Sequence, residues 1–277
     1  MVKFTRMKLV IKPKGRLGLD LQELWNYREL FYFLAWRDIK VRYRQTAFGV
    51  LWAILQPLLT MVVFTVFFGR VAGIAPAGIP YPIFSYLGLL FWQLFSNSLT
   101  NASDSFVANA KLVQKVYFPR LVLPISSTLV SLVDFLAATV VFAGLLIYYR
   151  IVPTPLGILL LFPAIVITML AASGLGLVFA TMNVKFRDVK YALPFFTQLL
   201  MFLTPVIYPV TLIPEKFRFL LSLNPMTGVI ETMRAAFLGL GQVSWLTLGI
   251  SLGISLILVF IGYFYLYRSE SEFADVI

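Results

Sequence analysis

The chain has 277 residues, of which 60% are hydrophobic and only 13% are charged, and its mean hydropathy is +0.89. A water-soluble domain carries roughly 25% charged residues, so the composition excludes an ordinary soluble globule and indicates an integral membrane protein. Cysteine and histidine are absent from the sequence, which excludes disulfides, thiol nucleophiles, Cys/His metal sites and imidazole acid–base catalysis.

Residues 1–47 are predicted to form a basic cytoplasmic arm followed by an amphipathic helix. Asp20 and Glu23 have capping-box spacing, which predicts a helix from residue 20 to about Arg37. This helix mixes aromatic rings with charges, a combination typical of the membrane–water interface. The alternative for the same pattern is a buried helix of a soluble protein.

Six apolar stretches follow, and each is long enough to cross a bilayer as a helix of about 20 residues. Their predicted bounds are 48–68, 83–102, 121–149, 156–182, 191–210 and 244–267. The predicted fold is therefore an all-α membrane protein with six transmembrane helices. Its transmembrane domain covers residues 48–267, and residues 268–277 form a cytoplasmic tail.

The distribution of Lys and Arg predicts the orientation of these spans. Residues 1–47 contain eleven of them, residues 103–120 and 183–190 contain three each, and Arg268 brings this side to 18 of the 23 in the chain. The other side has five. Because basic loops stay in the cytoplasm, both termini are predicted to be cytoplasmic, and the net charge of +11 needs no nucleic-acid partner to explain it.

Residues 211–241 fit neither a loop nor a span, and we expect two short re-entrant helices there. Asn224 followed by Pro225 is a helix-start signal, with a capping residue and then a first-turn proline. Gly239 is a suitable residue to end the second helix. At about 1.5 Å per residue the segment from Pro225 to Leu238 is too short for a hydrocarbon core of about 30 Å.

Glu231 and Arg234 are three residues apart on this second helix, a spacing that allows them to pair on one face. Such a pair needs a wet or protein-lined environment, which the mouth of a channel provides. We therefore predict an exit gate that includes Asn224, Pro225, Glu231 and Arg234. The alternative is a pair of interfacial helices that lie flat on the outer surface.

The chemistry open to this chain is narrow. A phosphate-binding loop of the type Gly-x-x-x-x-Gly-Lys-Ser/Thr does not occur, so ATP hydrolysis within the chain is not expected. Asp134 is the one acid inside a predicted span, and either a structural hydrogen-bonding role or proton coupling would account for it. Membrane-embedded enzymes usually need paired acids or histidine. The chain is therefore predicted not to be an enzyme.

Four segments resemble type-2 ABC permeases that export polysaccharides. The longest runs from Arg37 to Pro57, and the shorter ones are Lys115 to Arg120, Asn183 to Asp188, and Asn224-Pro225. The resemblance covers almost the whole chain. It implies the membrane subunit of an exporter for lipid-linked O-antigen, capsule or teichoic-acid chains, located in the bacterial inner membrane.

The same resemblance implies partners and cofactors. The expected assembly is a homodimer with two copies of a separate ABC ATPase, and ATP and magnesium bind to that ATPase, leaving no cofactor in this chain. A coupling helix is expected within residues 103–120, formed by Ser105 to Val116. Its proposed contacts with the ATPase are Asp104, Lys111, Gln114 and Lys115. Ordinary positive-inside charge is the alternative explanation for these lysines.

The expected substrate is a glycan attached to a polyprenyl pyrophosphate. Arg37, Arg42 and Arg44, here called the entrance arginines, suit its diphosphate because guanidinium groups bind phosphate oxygens with two hydrogen bonds. Anchoring of lipid headgroups would explain them equally well. Aromatic rings that could stack on sugars and line a channel occur in spans two and five: Phe84, Tyr86, Phe91, Trp92, Phe95, Phe195, Phe196, Phe202 and Tyr208.

For each of these rings, simple lipid-facing hydrophobicity is the competing explanation. Two other functions are also compatible with the sequence. One is a small-molecule or drug efflux permease of the same superfamily, and the other is an ion-coupled secondary carrier.

Overall fold

The computed structural model describes residues 21–44, 49, 51–76 and 78–269. The predicted arm at 1–20, which includes Asp20 of the capping box, lies outside the described residues. So do the predicted boundary between the arm and the transmembrane domain, at residues 47 and 48, and the tail from 270 to 277.

The described part of the chain is all helical, with connecting segments between the helices and no β-strand in the ranges given above. The α-helices are α1 Leu21–Asn26, α2 Arg28–Arg44, α3 Leu51–Phe64, α4 Tyr81–Ala108, α5 Ala110–Lys115, α6 Val122–Tyr148, α7 Pro155–Lys185, α8 Val189–Leu203, α9 Glu215–Ser222, α10 Pro225–Leu238 and α11 Trp245–Ser269. The helix α3 continues as a π-helix over Thr65–Val71, and a short 3₁₀ helix spans Val210–Leu212.

Four of the described helices are long and apolar enough to cross a membrane: α3 with its π-helical extension, α6, α7 and α11. They lie at the predicted first, third, fourth and sixth spans. The helix α4 occupies the second with 28 residues but has a polar second half, and α8 occupies the fifth with only 15 residues. The protein is thus an integral membrane protein with four candidate spans and further apolar helices.

Some of the predicted helix bounds are wrong. The helix expected to end near Arg37 is divided at residue 27 into α1 and α2, and α2 continues to Arg44. Two other bounds differ for local reasons. The fifth stretch was expected to continue to residue 210, but α8 ends at Leu203 because Thr204 precedes Pro205 and takes an extended conformation with ψ 139°. The predicted single helix from Ser105 to Val116 is divided at Asn109 into the end of α4 and the short α5. The Asn109 side chain donates to the Ser105 carbonyl at 2.8 Å and so competes with helical backbone bonding.

The helix α4 lies at the centre of the bundle, and most of its side chains are buried against α6, α7 and α10. A second, smaller core lies beyond it, where Leu34 of α2 and Val113 of α5 pack with Phe106 and Phe118. The helices α7 and α11 approach closely because Gly174 and Gly262 have no side chain. A Cβ atom at either position would clash with the facing helix.

The bundle has two ends. We call the end that carries α2, α5 and residues 186–188 the basic end. The far end is opposite and carries the connections at 72–76 and 78–80, at 149–154, at 204–214 and at 239–244.

Candidate functional site

At the basic end, two of the entrance arginines are already paired within the chain. Arg37 donates from Nε and Nη2 to Oδ1 of Asp38, at 2.9 and 2.7 Å, and from Nη2 to Oδ1 of Asn109 at 2.7 Å. These groups are half-buried. The Asn109 contact ties α2 to the junction between α4 and α5. Arg44, the third of these arginines, is exposed at the end of α2.

Arg42, the second entrance arginine, forms an ion pair with Asp134 at 2.7 Å between Nη2 and Oδ2. The other carboxylate oxygen of Asp134 accepts a hydrogen bond from the Tyr43 hydroxyl at 2.5 Å. The side chain of Asp134 is 9% exposed and that of Arg42 is 39% exposed. Both carboxylate oxygens of Asp134 are thus engaged by side chains of α2.

Tyr43 is suited to remain a neutral donor in this arrangement. Burial raises the pKa of its hydroxyl, and the hydrogen bond to Asp134 raises it further. The carboxylate of Asp134 therefore receives one hydrogen bond from a neutral group and one ion pair from a cation.

Two cavities adjoin at Arg42. The smaller, of about 110 Å³, extends into the bundle between α3, α4 and α6 and is lined by polar groups that include Gln56, Gln93 and Asn97 beside Asp134. The larger, of about 460 Å³, opens between α2, α4 and α6. Its charged lining consists of Arg37, Arg42, Asp38 and Asp104. The two cations of the larger cavity are thus balanced by two acids.

The short helix α5 presents the proposed ATPase contacts on its surface. Lys111, Gln114 and Lys115 are exposed, while Val113 is buried in the smaller core and holds the helix in place. Asp104 is different, because it lies on α4 and accepts a hydrogen bond from Asn183 at 3.2 Å. The structure therefore brings three of the four residues onto one exposed element, and the docking role stays a prediction.

The nine proposed channel rings do not share one surface. The five on α4 are buried in the core: Phe84, Tyr86, Phe91, Trp92 and Phe95. Phe84 packs against Arg234, and Tyr86 stacks near Phe142. Two of the five, Trp92 and Phe95, line a cavity of about 390 Å³ together with Phe196 of α8. On α8, by contrast, Phe195 and Phe202 are exposed, and Phe196 is partly buried like Tyr208, which follows α8.

At the far end, Arg234 of α10 is the largest fully buried side chain in the described part of the molecule, at 1% exposure. Its Nη1 donates to the Pro205 carbonyl at 2.5 Å, and its Nη2 donates to the Val206 carbonyl at 2.7 Å. The guanidinium also lies 3.5 Å from the centre of the Phe84 ring, a cation–π contact. Arg234 thus joins α10, α4 and the broken segment after α8.

The predicted ends and pairing of the second short helix are confirmed. Asn224 caps α10, since its Oδ1 accepts from the Met226 backbone at 3.0 Å, and Gly239 closes it in a left-handed conformation with φ 69°. Arg234 pairs with Glu231 at 3.1 Å. Thirteen of the 14 residues of α10 are buried, whereas α9 has no buried residue. The guanidinium of Arg234 faces protein rather than a wet channel mouth.

Metal binding has no support in the described ranges, where no group of three acidic, His or Cys side chains lies close enough to hold an ion.

A family comparison decides the class of the protein. The profile described as ABC-2 type transporter matches residues 29–238, which is most of the chain. The chain belongs to the ABC-2 type transporter family. The resemblance predicted from the four sequence segments is confirmed.

Several curated members of this family are similar over most or all of their length. The O-antigen export system permease protein RfbA of Klebsiella pneumoniae is 32% identical over 264 residues, covering 94% of this chain and 100% of the relative. The polysialic acid transport protein KpsM of Escherichia coli is 26% identical, covering 93% and 98%. The capsule polysaccharide export inner-membrane protein CtrC of Neisseria meningitidis is 25% identical, covering 79% and 83%.

Sequence reasoning missed two residues that organise the basic end of this ABC-2 family member. Tyr43 was not singled out, although a buried acid such as Asp134 predicts that donors lie nearby. Asn109 was also missed. Its signal was an asparagine inside an otherwise helical stretch, where its side chain competes with the backbone.

Proposed function

We propose that the chain is the membrane subunit of an ATP-driven exporter that moves a lipid-linked polysaccharide across the bacterial inner membrane. The observation that carries the proposal is the similarity to an O-antigen export permease over 94% of this chain and all of the relative. Other relatives act, by their names, on polysialic acid and capsule polysaccharide. The glycan that this chain exports is of the same chemical class.

The geometry of the basic end supports this function. The helix α2 presents Arg37 and Arg42 to a cavity of about 460 Å³ that opens between α2, α4 and α6. A cavity in this position is suited to receive the diphosphate of a membrane-bound lipid, while the glycan itself stays in water. The exposed aromatic side chains Tyr32, Phe33 and Trp36 support a position of α2 at the membrane interface.

The basic end is, in this proposal, cytoplasmic and faces the ATPase. The distribution of Lys and Arg supports it, and so does the exposed surface of α5. Two copies of the chain with two copies of the ATPase complete the transporter. Six spans are reached when α4 and α8 are counted with the four long apolar helices.

The far end closes the exit in this proposal, with α9 and α10 as re-entrant helices. The two differ in their contacts, since α10 is packed between α4, α7 and α11 and α9 is not buried. We assign the movable part to α9. A disulfide between α9 and its copy in the dimer that left export unchanged would contradict this assignment.

The decisive experiment is depletion of the chain in its own host. We expect lipid-linked glycan to accumulate on the inner leaflet and surface glycan to fall, and the wild-type chain to reverse both effects. Surface glycan that is unchanged after depletion would refute the function. Accumulation of a small drug-like compound instead would favour the efflux alternative, which no contact described above supports.

A further inference from the structure

The cavity beside the entrance arginines is electrically self-neutralised. Its charged lining is Arg37, Arg42, Asp38 and Asp104, and Arg42 is in addition paired with Asp134 behind it. A cavity of this kind attracts a diphosphate only weakly, since every positive charge is already matched. An incoming anion can therefore bind a guanidinium group in this cavity only by replacing the carboxylate that the guanidinium already binds.

The two partners of the ion pair, Arg42 and Asp134, differ in how freely their side chains can move. Asp134 is 9% exposed and lies in the middle of α6, which is packed in the bundle, so its carboxylate stays where it is. Arg42 is 39% exposed near the end of α2, on a long side chain that borders both cavities. Arg42 can therefore turn toward the larger cavity while Asp134 stays behind.

We propose that Asp134 is a built-in competitor for Arg42, and that the diphosphate of the lipid-linked substrate displaces it. We call Arg42, Tyr43 and Asp134 the latch. In the closed latch Arg42 is neutralised, and the entrance rejects ordinary phospholipids with a single phosphate. The inference rests on the proposed function, and it adds a positioning role for Asp134 and Tyr43, which act through Arg42.

A diphosphate is suited to open the latch because it offers more negative charge and more acceptor oxygens than one carboxylate, and guanidinium binds such groups bidentately. When Arg42 leaves, Asp134 is a buried carboxylate without a cation, which is costly. The hydroxyl of Tyr43 reduces that cost, since it continues to donate to Oδ1. Tyr43 therefore lowers the free-energy cost of separating Arg42 from Asp134.

Substitutions at the two positioning residues should act in opposite directions. Asp134→Asn removes the competing charge but keeps an oxygen that Tyr43 can bond, so diphosphate binding should tighten about tenfold. Tyr43→Phe leaves Asp134 dependent on Arg42 alone, so binding should weaken several-fold. A merely structural role for these side chains would make both variants weaker.

The test uses the full-length chain purified with its ATPase and titrated with farnesyl pyrophosphate. Farnesyl monophosphate and inorganic pyrophosphate are the comparison probes, which separate recognition of the diphosphate from recognition of the tail. Asp104→Asn is the matched control, because it removes one negative charge from the same cavity without touching Arg42. It should tighten binding by less than Asp134→Asn does.

Equal tightening by Asp104→Asn and Asp134→Asn would overturn the latch, since general electrostatics would then explain both. Unchanged binding in Asp134→Asn together with unchanged or tighter binding in Tyr43→Phe would also overturn it. In that case the proposed function is untouched, provided the wild type binds the diphosphate. If neither the wild type nor Asp134→Asn binds any of the three probes, both the latch and the proposed diphosphate entrance are wrong.

Discussion

The helices α10 and α2 are of similar size, and each carries an arginine in contact with an acid, but they are embedded differently. Of the 14 residues of α10, 13 are buried, whereas only Leu34 and Ala35 are buried among the 17 of α2. Arg234 on α10 is 1% exposed, and Arg42 on α2 is 39% exposed.

The difference teaches where the molecule is fixed and where it can exchange partners. Arg234 binds backbone carbonyls, which belong to the packed chain and have no substitute in lipid. Arg37 and Arg42 bind side chains at a cavity, where another anion can take the place of a carboxylate. The far end is thus built around a permanent contact and the basic end around replaceable ones.

Replacing the buried arginine should produce the largest loss of stability. Arg234→Gln leaves the carbonyls of Pro205 and Val206 without their donors and should lower the free energy of unfolding by about 3–5 kcal/mol. The measurement is thermal and denaturant unfolding in a mild detergent. Arg37→Gln is the matched control at the basic end, where the half-exposed pair should cost about 1 kcal/mol or less. Equal losses would erase the contrast between the two ends.

A smaller effect is expected at the helix cap of the far end. Asn224→Ala removes the hydrogen bond that starts α10 and the bond from Nδ2 to Thr204, and it should cost about 1–2 kcal/mol. Asn109→Ala is the comparison at the basic end. There the side chain caps no helix, so unfolding should change less. A greater loss from Asn109→Ala would mean that the basic end depends on fixed contacts too.

The smallest effect on stability should come from α5, together with a clear loss of coupling. Lys111→Glu combined with Lys115→Glu changes exposed side chains and should alter unfolding by less than about 0.5 kcal/mol. Export and stimulation of the ATPase should nevertheless fall, because the docking surface reverses its charge. Lys216→Glu on α9 is the control that should leave ATPase stimulation intact.

Labelling at position 111 tests on which side of the membrane α5 lies. The parent chain has no cysteine, so Lys111→Cys introduces a single thiol. That thiol should react only from the cytoplasm, and labelling from outside intact cells would contradict docking at α5.

The sequence was sufficient for the long helices, because a bilayer imposes a length and a composition that are visible without a structure. The caps of α10 were predictable for the same kind of reason, since Asn224-Pro225 and Gly239 act on their own backbone. The sequence does not predict the early end of α8, because apolar residues continue on both sides of Pro205 and mask its effect on the helix.

Contacts between distant helices could not be predicted in this way. In a chain that is apolar almost throughout, hydropathy does not distinguish a ring that faces lipid from one in the core. Phe91 was therefore grouped with Phe195, although the first is fully buried and the second is 65% exposed. The pairing of Asp134 with Arg42 likewise depends on how α2 lies along α6, which no local pattern specifies.

The contacts of Arg234 also bear on how a chain can turn inside a packed helical bundle. A helix that ends there leaves backbone carbonyl groups that need donors, and in water those groups would be hydrated. Here the guanidinium of Arg234 donates the hydrogen bonds that water would otherwise give to the carbonyls of Pro205 and Val206. The ring of Phe84 packs against the same guanidinium. One buried side chain thus satisfies both carbonyls after α8, and these two groups need no water.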